Sequence, residues 1–141
     1  MMIYKFFDTT SLLLAHNNLF SENYRLVISS ITLEELENIK TSANKDAEIK
    51  YQAREVVRQL TQNPNKYDLV IFKDYMLEPI LAKAEFNINN DLKILACAFD
   101  YDYYEHPDET VFVTNDLTLK LIANLFFGED SIESIELKEE E

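Results

Sequence analysis

The chain has 141 residues, of which 47% are hydrophobic, enough for one domain with a substantial core. Its single cysteine, Cys97, excludes an intramolecular disulfide and fits a reducing cytoplasm, and no apolar run reaches the roughly 18 to 20 residues of a membrane span. The net charge of −13 argues against a polyanionic partner, except where acids gather at a metal site whose cations reverse the local field. The opening residues lack the pattern of a signal peptide, so we expect a cytoplasmic protein with no membrane partner.

Hydrophobic periodicity predicts that strands and helices alternate along the chain. The predicted strands are continuous apolar runs, as expected when helices cover both faces of a sheet. We therefore predict an α/β fold, a three-layer α/β/α sandwich around a mostly parallel sheet of about five strands. Residues 1–137 are expected to form this single domain, followed by an acidic solvated tail over 138–141. The predicted elements are a strand ending at Asp8, a helix over 9–20, a strand over 25–31, a helix from Thr32, a helix over 44–62, a strand over 68–72, helices over 79–86 and 89–104, a strand over 110–114, a helix over 117–126 and a weaker strand over 131–137.

Four acids stand at or near predicted strand ends and helix starts, where open parallel sheets form their binding sites. They are Asp8, Glu35, Asp91 and Asp116. Each has a simple structural explanation. Asp8 and Asp116 are suitable helix caps, Glu35 completes a capping box with Thr32, and Asp91 suits the positive end of its helix.

Taken together, the four acids predict a metal site. Carboxylates that converge on one rim of the sheet repel one another unless cations lie between them. Hard divalent ions such as Mg²⁺ or Mn²⁺ prefer such oxygen ligands. Ions held in this way activate water and stabilise the charge that develops when a phosphodiester is displaced.

Four segments resemble the PIN domain, a compact metal-dependent nuclease fold. They are "FFDTTSLL", "ISSITLEELENIK", "NNDLKILACA" and "VFVTNDLTLKLIA". The fit is closest to the PIN domains that are linked to PhoH-type ATPases, whose Asn-Ala-Arg segment is echoed by "YQAREVVRQL". The resemblance implies an endoribonuclease that hydrolyses single-stranded RNA with Mg²⁺ or Mn²⁺. One residue departs from the pattern, because Thr10 replaces the Asn of the family's Asp-Thr-Asn motif.

The resemblance also assigns roles to individual residues. Asp8, Asp91 and Asp116 would hold the metal, and Glu35 would either hold it or position the attacking water. Supporting residues that orient the ligands or a phosphate are expected among the neighbouring polar side chains. These are Thr9, Thr114 and Asn115.

A basic stripe on the long predicted helix has two interpretations. Lys50, Arg54 and Arg58 are spaced four residues apart, Lys40 and Lys45 precede them, and these five would guide RNA towards the acids. Alternatively they form a solvated helix face that pairs with neighbouring acids. A cluster of tyrosines, Tyr101, Tyr103 and Tyr104, is expected to wrap the end of a helix rather than to stack on bases.

The function has an alternative as well. The chain would be either an active ribonuclease or a catalytically weak module that binds RNA or protein as an adaptor. Small PIN proteins are often toxins held by an antitoxin, whereas the PhoH-linked group suggests a separate helicase or ATPase partner. A homodimer is also expected from the family.

Overall fold

The structure, a computed structural model, describes residues 2–105 and 109–133. In this part of the chain a sheet of five strands is surrounded by helices. The strands are β1 (Ile3–Phe7), β2 (Tyr24–Ser29), β3 (Tyr67–Val70), β4 (Glu109–Val113) and β5 (Ile132–Glu133). The α-helices are α1 (Thr9–Leu14), α2 (Ser30–Thr41), α3 (Ala47–Gln62), α4 (Glu78–Lys83), α5 (Asn90–Glu105) and α6 (Leu117–Ala123), and 3₁₀ helices span Asp74–Leu77 and Glu129–Ser131.

The sheet is parallel throughout, with the strand order β3-β2-β1-β4-β5. The chain builds outwards from β1 to β2 and β3, and then returns to the other side of β1 to add β4 and β5. The order therefore reverses between β1 and β4, and such a reversal opens a crevice at the carboxyl ends of the two strands. Asp8 follows β1 and Asp116 lies just beyond β4, so two of the four acids stand at this crevice.

Apolar side chains fill both faces of the sheet. On β1, Phe6 points into one core and Phe7 into the other, because successive side chains of a strand alternate between faces. One core packs the sheet mainly against α4, α5, α6 and the first 3₁₀ helix, and the other packs it against α1, α2 and α3. The three-layer α/β/α prediction is confirmed, and the layers hold the helix starts rigidly around the crevice.

Several predicted boundaries were wrong by a few residues. The first helix ends at Leu14, where the prediction ran to residue 20, and the ring of His16 contacts the carbonyl oxygen of Leu13 at 2.8 Å just beyond it. The predicted helix over 79–86 ends at Lys83. Of the predicted strand over 131–137, the structure has β5, while residues 134–137 and the predicted tail over 138–141 lie outside the described residues.

The predicted capping box at the start of α2 was also wrong. Ser29, not Thr32, caps the helix, since its hydroxyl oxygen accepts a hydrogen bond from the backbone N–H of Thr32 at 3.1 Å. Thr32 lies fully buried inside the first turn. Glu35 therefore takes no part in capping α2, and its carboxylate has other hydrogen-bond partners. No helix in the described ranges is long and apolar enough to cross a membrane.

Candidate metal centre

Asp8 is a buried acid with a fixed orientation. It is only 4% exposed, and its backbone N–H donates to the carbonyl oxygen of Val113 at 3.1 Å, continuing the pairing of β1 with β4. One carboxylate oxygen caps α1 by accepting from the backbone N–H of Ser11 at 2.9 Å. The other accepts from the hydroxyl of Thr114 at 2.6 Å. A buried carboxylate with two donors keeps a defined position.

Asp116 joins the same arrangement through Thr114. The backbone N–H of Asp116 donates to the Thr114 hydroxyl oxygen at 3.1 Å, so this one side chain connects the two acids. Asp116 caps α6, because its Oδ1 accepts from the backbone N–H of Leu119 at 3.0 Å. Capping uses one oxygen of an exposed carboxylate and leaves the second for a cation, so the structural role and a ligand role are compatible.

Glu35 reaches towards the crevice from α2. One of its carboxylate oxygens accepts from the hydroxyl of Thr9 at 2.5 Å, and the other accepts from the side-chain amide of Asn90 at 3.2 Å. Thr9 begins α1 and Asn90 begins α5, so Glu35 connects the starts of two helices that flank the crevice.

Asp91 lies in the first turn of α5, which Asn89 caps by accepting from the backbone N–H of Leu92 at 2.9 Å. The pKa of Asp91 is raised, first by desolvation of its carboxyl group and then by the negative charges of Asp116, Asp8 and Glu35, in that order. Three carboxylates from three other segments thus share one electrostatic field with Asp91.

The acids line two adjoining depressions. A cleft of about 320 Å³ is bordered by Asp8, Glu35 and Asp91, and a neighbouring one of about 200 Å³ is bordered by Asp91 and Asp116. Asp91 borders both depressions and therefore connects Asp8 and Glu35 on one side with Asp116 on the other.

The donor set suits a hard divalent cation, because it consists of carboxylate oxygens whose mutual repulsion a cation would relieve. In the described ranges, however, no three acidic, histidine or cysteine side chains are already close enough together to hold a metal ion. Asp8 is fixed, whereas Asp91 and Asp116 are exposed. To hold a cation, the carboxylates would therefore have to come closer together than they are in this structure.

The supporting residues differ in how they contact the acids. Thr9 and Thr114 are buried and donate to Glu35 and Asp8 respectively. Asn115 lies between Thr114 and Asp116 and is half-buried. Thr10, which replaces the expected Asn, is exposed and borders the larger cleft.

The basic stripe stands apart from the acids. Lys50, Arg54 and Arg58 do not line the acidic cleft, and Arg58 pairs with Glu55 at 2.6 Å and with Gln62 at 2.9 Å. Arg58 therefore fits the second interpretation of the stripe, in which it is a solvated helix face that pairs with neighbouring acids.

Two further residues border the cleft beside the predicted acids and their supporting residues. Lys45 borders it from the segment between α2 and α3, and Asn90 holds Glu35. Asn90 is the first residue of α5, and the cap of that helix is the preceding residue, Asn89. Nothing in the local sequence places Lys45 at the cleft, because its position follows from how α3 packs on α2.

Comparison with known proteins independently supports this fold. The family model described as PIN domain matches residues 6–126. The chain belongs to the PIN domain family. No curated protein matches the sequence significantly.

Among solved structures, this PIN domain is similar to VapBC2 from Rickettsia felis, bound to a DNA fragment from their promoter. The TM-score is 0.60 and the identity 22%, over 94% of this chain and 98% of the other. It is also similar to VapBC-5 from Mycobacterium tuberculosis, a member of the VapBC family of toxin-antitoxin systems. Here the TM-score is 0.53 and the identity 19%, over 95% and 98% of the two chains. At these identities the likeness is one of fold.

Proposed function

We propose that this PIN domain is a metal-dependent endoribonuclease that hydrolyses phosphodiester bonds of single-stranded RNA. The observation that supports the proposal best is that Asp8, Glu35 and Asp91 border one cleft, while Asp91 and Asp116 border the depression beside it. Helix caps at one edge of a parallel sheet lie near one another in any case, but Glu35 and Asp91 cap no helix, so capping does not explain why they border the same cleft. A coupled group of titratable residues in a cleft is the usual sign of a functional site.

Each acid has a proposed role. Asp8, Asp91 and Asp116 would hold Mg²⁺ or Mn²⁺, and Glu35 would hold it as well or accept the proton of the attacking water. A bound divalent cation would lower the pKa of that water and offset the charge of the phosphodiester. Thr114 fixes the carboxylate of Asp8, and Thr9 and Asn90 fix that of Glu35. These donors orient the reacting groups before RNA arrives.

The test is cleavage of a labelled, unstructured RNA by the purified chain with Mg²⁺, Mn²⁺ or EDTA. Asp8→Asn and Asp116→Asn should each lower the rate by about a hundredfold or more while the fold is kept, because asparagine is also a good cap. The matched control is Asp46→Asn. Asp46 caps α3 in the same way, with the N–H of Ile49 at 2.9 Å, and does not line the cleft.

Three outcomes decide between the proposals. Metal-dependent cleavage that both cleft variants abolish and Asp46→Asn preserves supports the nuclease. Cleavage that persists in all variants points to a contaminating enzyme. No cleavage, combined with RNA binding that ignores the metal, would instead support the adaptor that binds RNA or protein.

For the biological role, we propose that the chain is the toxin of a toxin-antitoxin pair in the cytoplasm. The two solved structures described above are both VapBC proteins, which supports an antitoxin as the partner. The alternative, a separate helicase or ATPase, is supported by the PhoH-like sequence segments.

Induced expression in a bacterial host should arrest growth, and the combination of Asp8→Asn with Asp116→Asn should relieve the arrest. Normal growth with an active enzyme would favour RNA processing. The homodimer is also a proposal, tested by sedimentation of the purified chain.

A further inference from the structure

A second cavity, larger than the acidic cleft, lies elsewhere on the PIN domain. Its volume is about 510 Å³, and none of the four cleft acids lines it. It is formed by the first 3₁₀ helix, the start of α4 and the C-terminal half of α5. We call it the tyrosine groove, after its lining residues Tyr75, Tyr103 and Tyr104.

These three tyrosines are unusually exposed for side chains that line one cavity. Tyr75 is 52% exposed, Tyr103 59% and Tyr104 62%. The earlier expectation that the tyrosines wrap a helix end holds for Tyr101, which packs on Phe6. Tyr103 and Tyr104 also lie in the last turn of α5, but their side chains are exposed. A contiguous group of exposed aromatic side chains marks an interaction site.

The rings of the groove present faces in two directions. Tyr103 lies nearly parallel to Phe99, with ring centroids 6.4 Å apart and planes at 24°. Tyr104 meets Tyr103 edge-on, with centroids 4.9 Å apart and planes at 84°. The negative face of an aromatic ring attracts a cation placed over it, and an exposed ring such as Tyr104 can accept one.

The charges of the groove are negative. Glu78 and Asp100 line it, and neither forms an ion pair within the described part of the chain. Burial, followed by the charge of Glu105, raises the pKa of Asp100. A cationic occupant would therefore relieve an unfavourable local charge.

We propose that the tyrosine groove binds an arginine-bearing segment of a partner protein. Of the basic side chains, arginine fits best, because its planar guanidinium stacks on aromatic rings while its N–H groups reach carboxylates. The volume accommodates more than one side chain, which favours a peptide segment. The proposal uses none of the cleft acids, so it does not depend on the nuclease activity.

Charge excludes the competing occupants. An RNA backbone would be repelled by Glu78 and Asp100. The chain's own C-terminal sequence, "KEEE", has the wrong sign, and a second copy would bring a net charge of −13. A basic partner is attracted by the same field.

The test is NMR of the full chain with labelled tyrosine rings, titrated with N-acetyl-arginine methylamide. N-acetyl-citrulline methylamide is the neutral control of the same shape. The arginine compound should shift the rings of Tyr75, Tyr103 and Tyr104 selectively, and the citrulline compound should not. Asp100→Asn should weaken binding about fivefold, as for the loss of one exposed ion pair. Asp102→Asn is the matched control, because it removes the same charge from the same helix outside the groove.

A second pair of variants separates ring stacking from general attraction. Tyr104→Phe keeps a ring and should keep the affinity, whereas Tyr104→Leu should lose about as much as Asp100→Asn. Equal losses in Asp100→Asn and Asp102→Asn would overturn the proposal, because the attraction would then be unspecific. Equal binding of citrulline would overturn it too. Selective shifts with a short single-stranded RNA instead of arginine would identify the groove as a base-stacking surface and reject the proposal.

Discussion

Asp91 carries a charge that folding makes less favourable. Its pKa is raised by desolvation and then by three neighbouring carboxylates, so the ionised form is less stable in the folded chain than in the unfolded one. At neutral pH this charge lowers the free energy of unfolding. The loss disappears as the pH falls through the raised pKa, because the carboxylate is then protonated. Active sites commonly keep such unfavourable charges because a ligand needs them.

Replacing Asp91 with asparagine should therefore stabilise the metal-free protein. We expect Asp91→Asn to raise Tm in EDTA at pH 7 by roughly 1 to 3 °C, a small effect since the residue is exposed to solvent. The measurement is thermal unfolding followed by circular dichroism. Asp102→Asn on the same helix serves as the control and should change Tm less. A lower Tm for Asp91→Asn would mean that its charge mainly stabilises the start of α5.

Thr114 should matter for both acids at the crevice. Its hydroxyl donates to Asp8 and accepts from the N–H of Asp116. Thr114→Val keeps the shape but leaves a buried carboxylate one donor short, so we expect a loss of about 1 to 3 kcal/mol in the free energy of unfolding. The cleavage rate should fall about tenfold to a hundredfold as Asp8 loses its orientation. Thr114→Ser should restore most of both properties, and a fully active Thr114→Val would show that Asp8 is oriented by other means.

Lys45 is the cleft residue to test for contact with RNA. We expect Lys45→Ala to raise KM for RNA by about fivefold with little change in kcat, the pattern of a lost phosphate contact. The slope of log affinity against log salt should fall by about 0.7. Lys40→Ala is the control, because Lys40 pairs with Glu37 at 3.3 Å and does not line the cleft. An unchanged salt slope for Lys45→Ala would place the RNA elsewhere.

At the scale of elements, an ionic network joins β2, β3 and α5. Two guanidinium nitrogens of Arg25 donate to one carboxylate oxygen of Asp68, at 2.9 and 3.1 Å, and the hydroxyl of Tyr101 donates to the other at 2.8 Å. Burial alone would raise the pKa of Asp68, but these hydrogen bonds outweigh it and the pKa is lowered. The network therefore connects β2 and the edge strand β3 to the helix that carries Asp91.

A lowered pKa predicts a definite pH dependence. The stabilisation by Asp68 is complete above the ordinary aspartate pKa of 3.8 and is lost as the pH falls through the lower folded value. We expect Asp68→Asn to reduce the free energy of unfolding by about 1 kcal/mol at pH 7 and by less near pH 3. Urea unfolding at the two pH values measures the difference. Asp74→Asn, at an exposed position of the first 3₁₀ helix, is the control with the same change of charge. An equal loss by Asp68→Asn at both pH values would contradict the role assigned to its charge.

Elements were more predictable than their ends. The apolar runs of the strands and the stripes of the long helices identify type and order, since these depend on local patterns. The start of α2 was wrong because Ser29 and Thr32 are both good caps, and only packing decides between them. For the same reason the sequence paired Glu35 with Thr32, whereas the folded chain pairs it with Thr9 and Asn90.

At the scale of the whole molecule, the parallel sheet explains why acids far apart in sequence meet. Asp8 and Asp116 come together because β1 and β4 are neighbours. Their proximity was predictable from the rule for parallel sheets, as was the fold. The contribution of Lys45 was not, because it depends on the position of a connecting segment. The tyrosine groove was not predicted either, since the sequence does not distinguish exposed from packed tyrosines on one helix.

Cations can stabilise a molecule with a net charge of −13 in two ways, and these can be told apart by experiment. Any salt screens the overall repulsion, whereas a specific site responds to a divalent ion at constant ionic strength. At a free concentration of one hundred times Kd, a site present only in the folded state adds about 2.7 kcal/mol. We therefore expect Mn²⁺ or Mg²⁺ to raise Tm clearly above the value in NaCl of equal ionic strength. The combination of Asp8→Asn with Asp116→Asn should lose this excess, while Asp46→Asn should keep it. Equal stabilisation by NaCl would mean that the cleft binds no metal, and the four acids would then have to be explained by capping and packing alone.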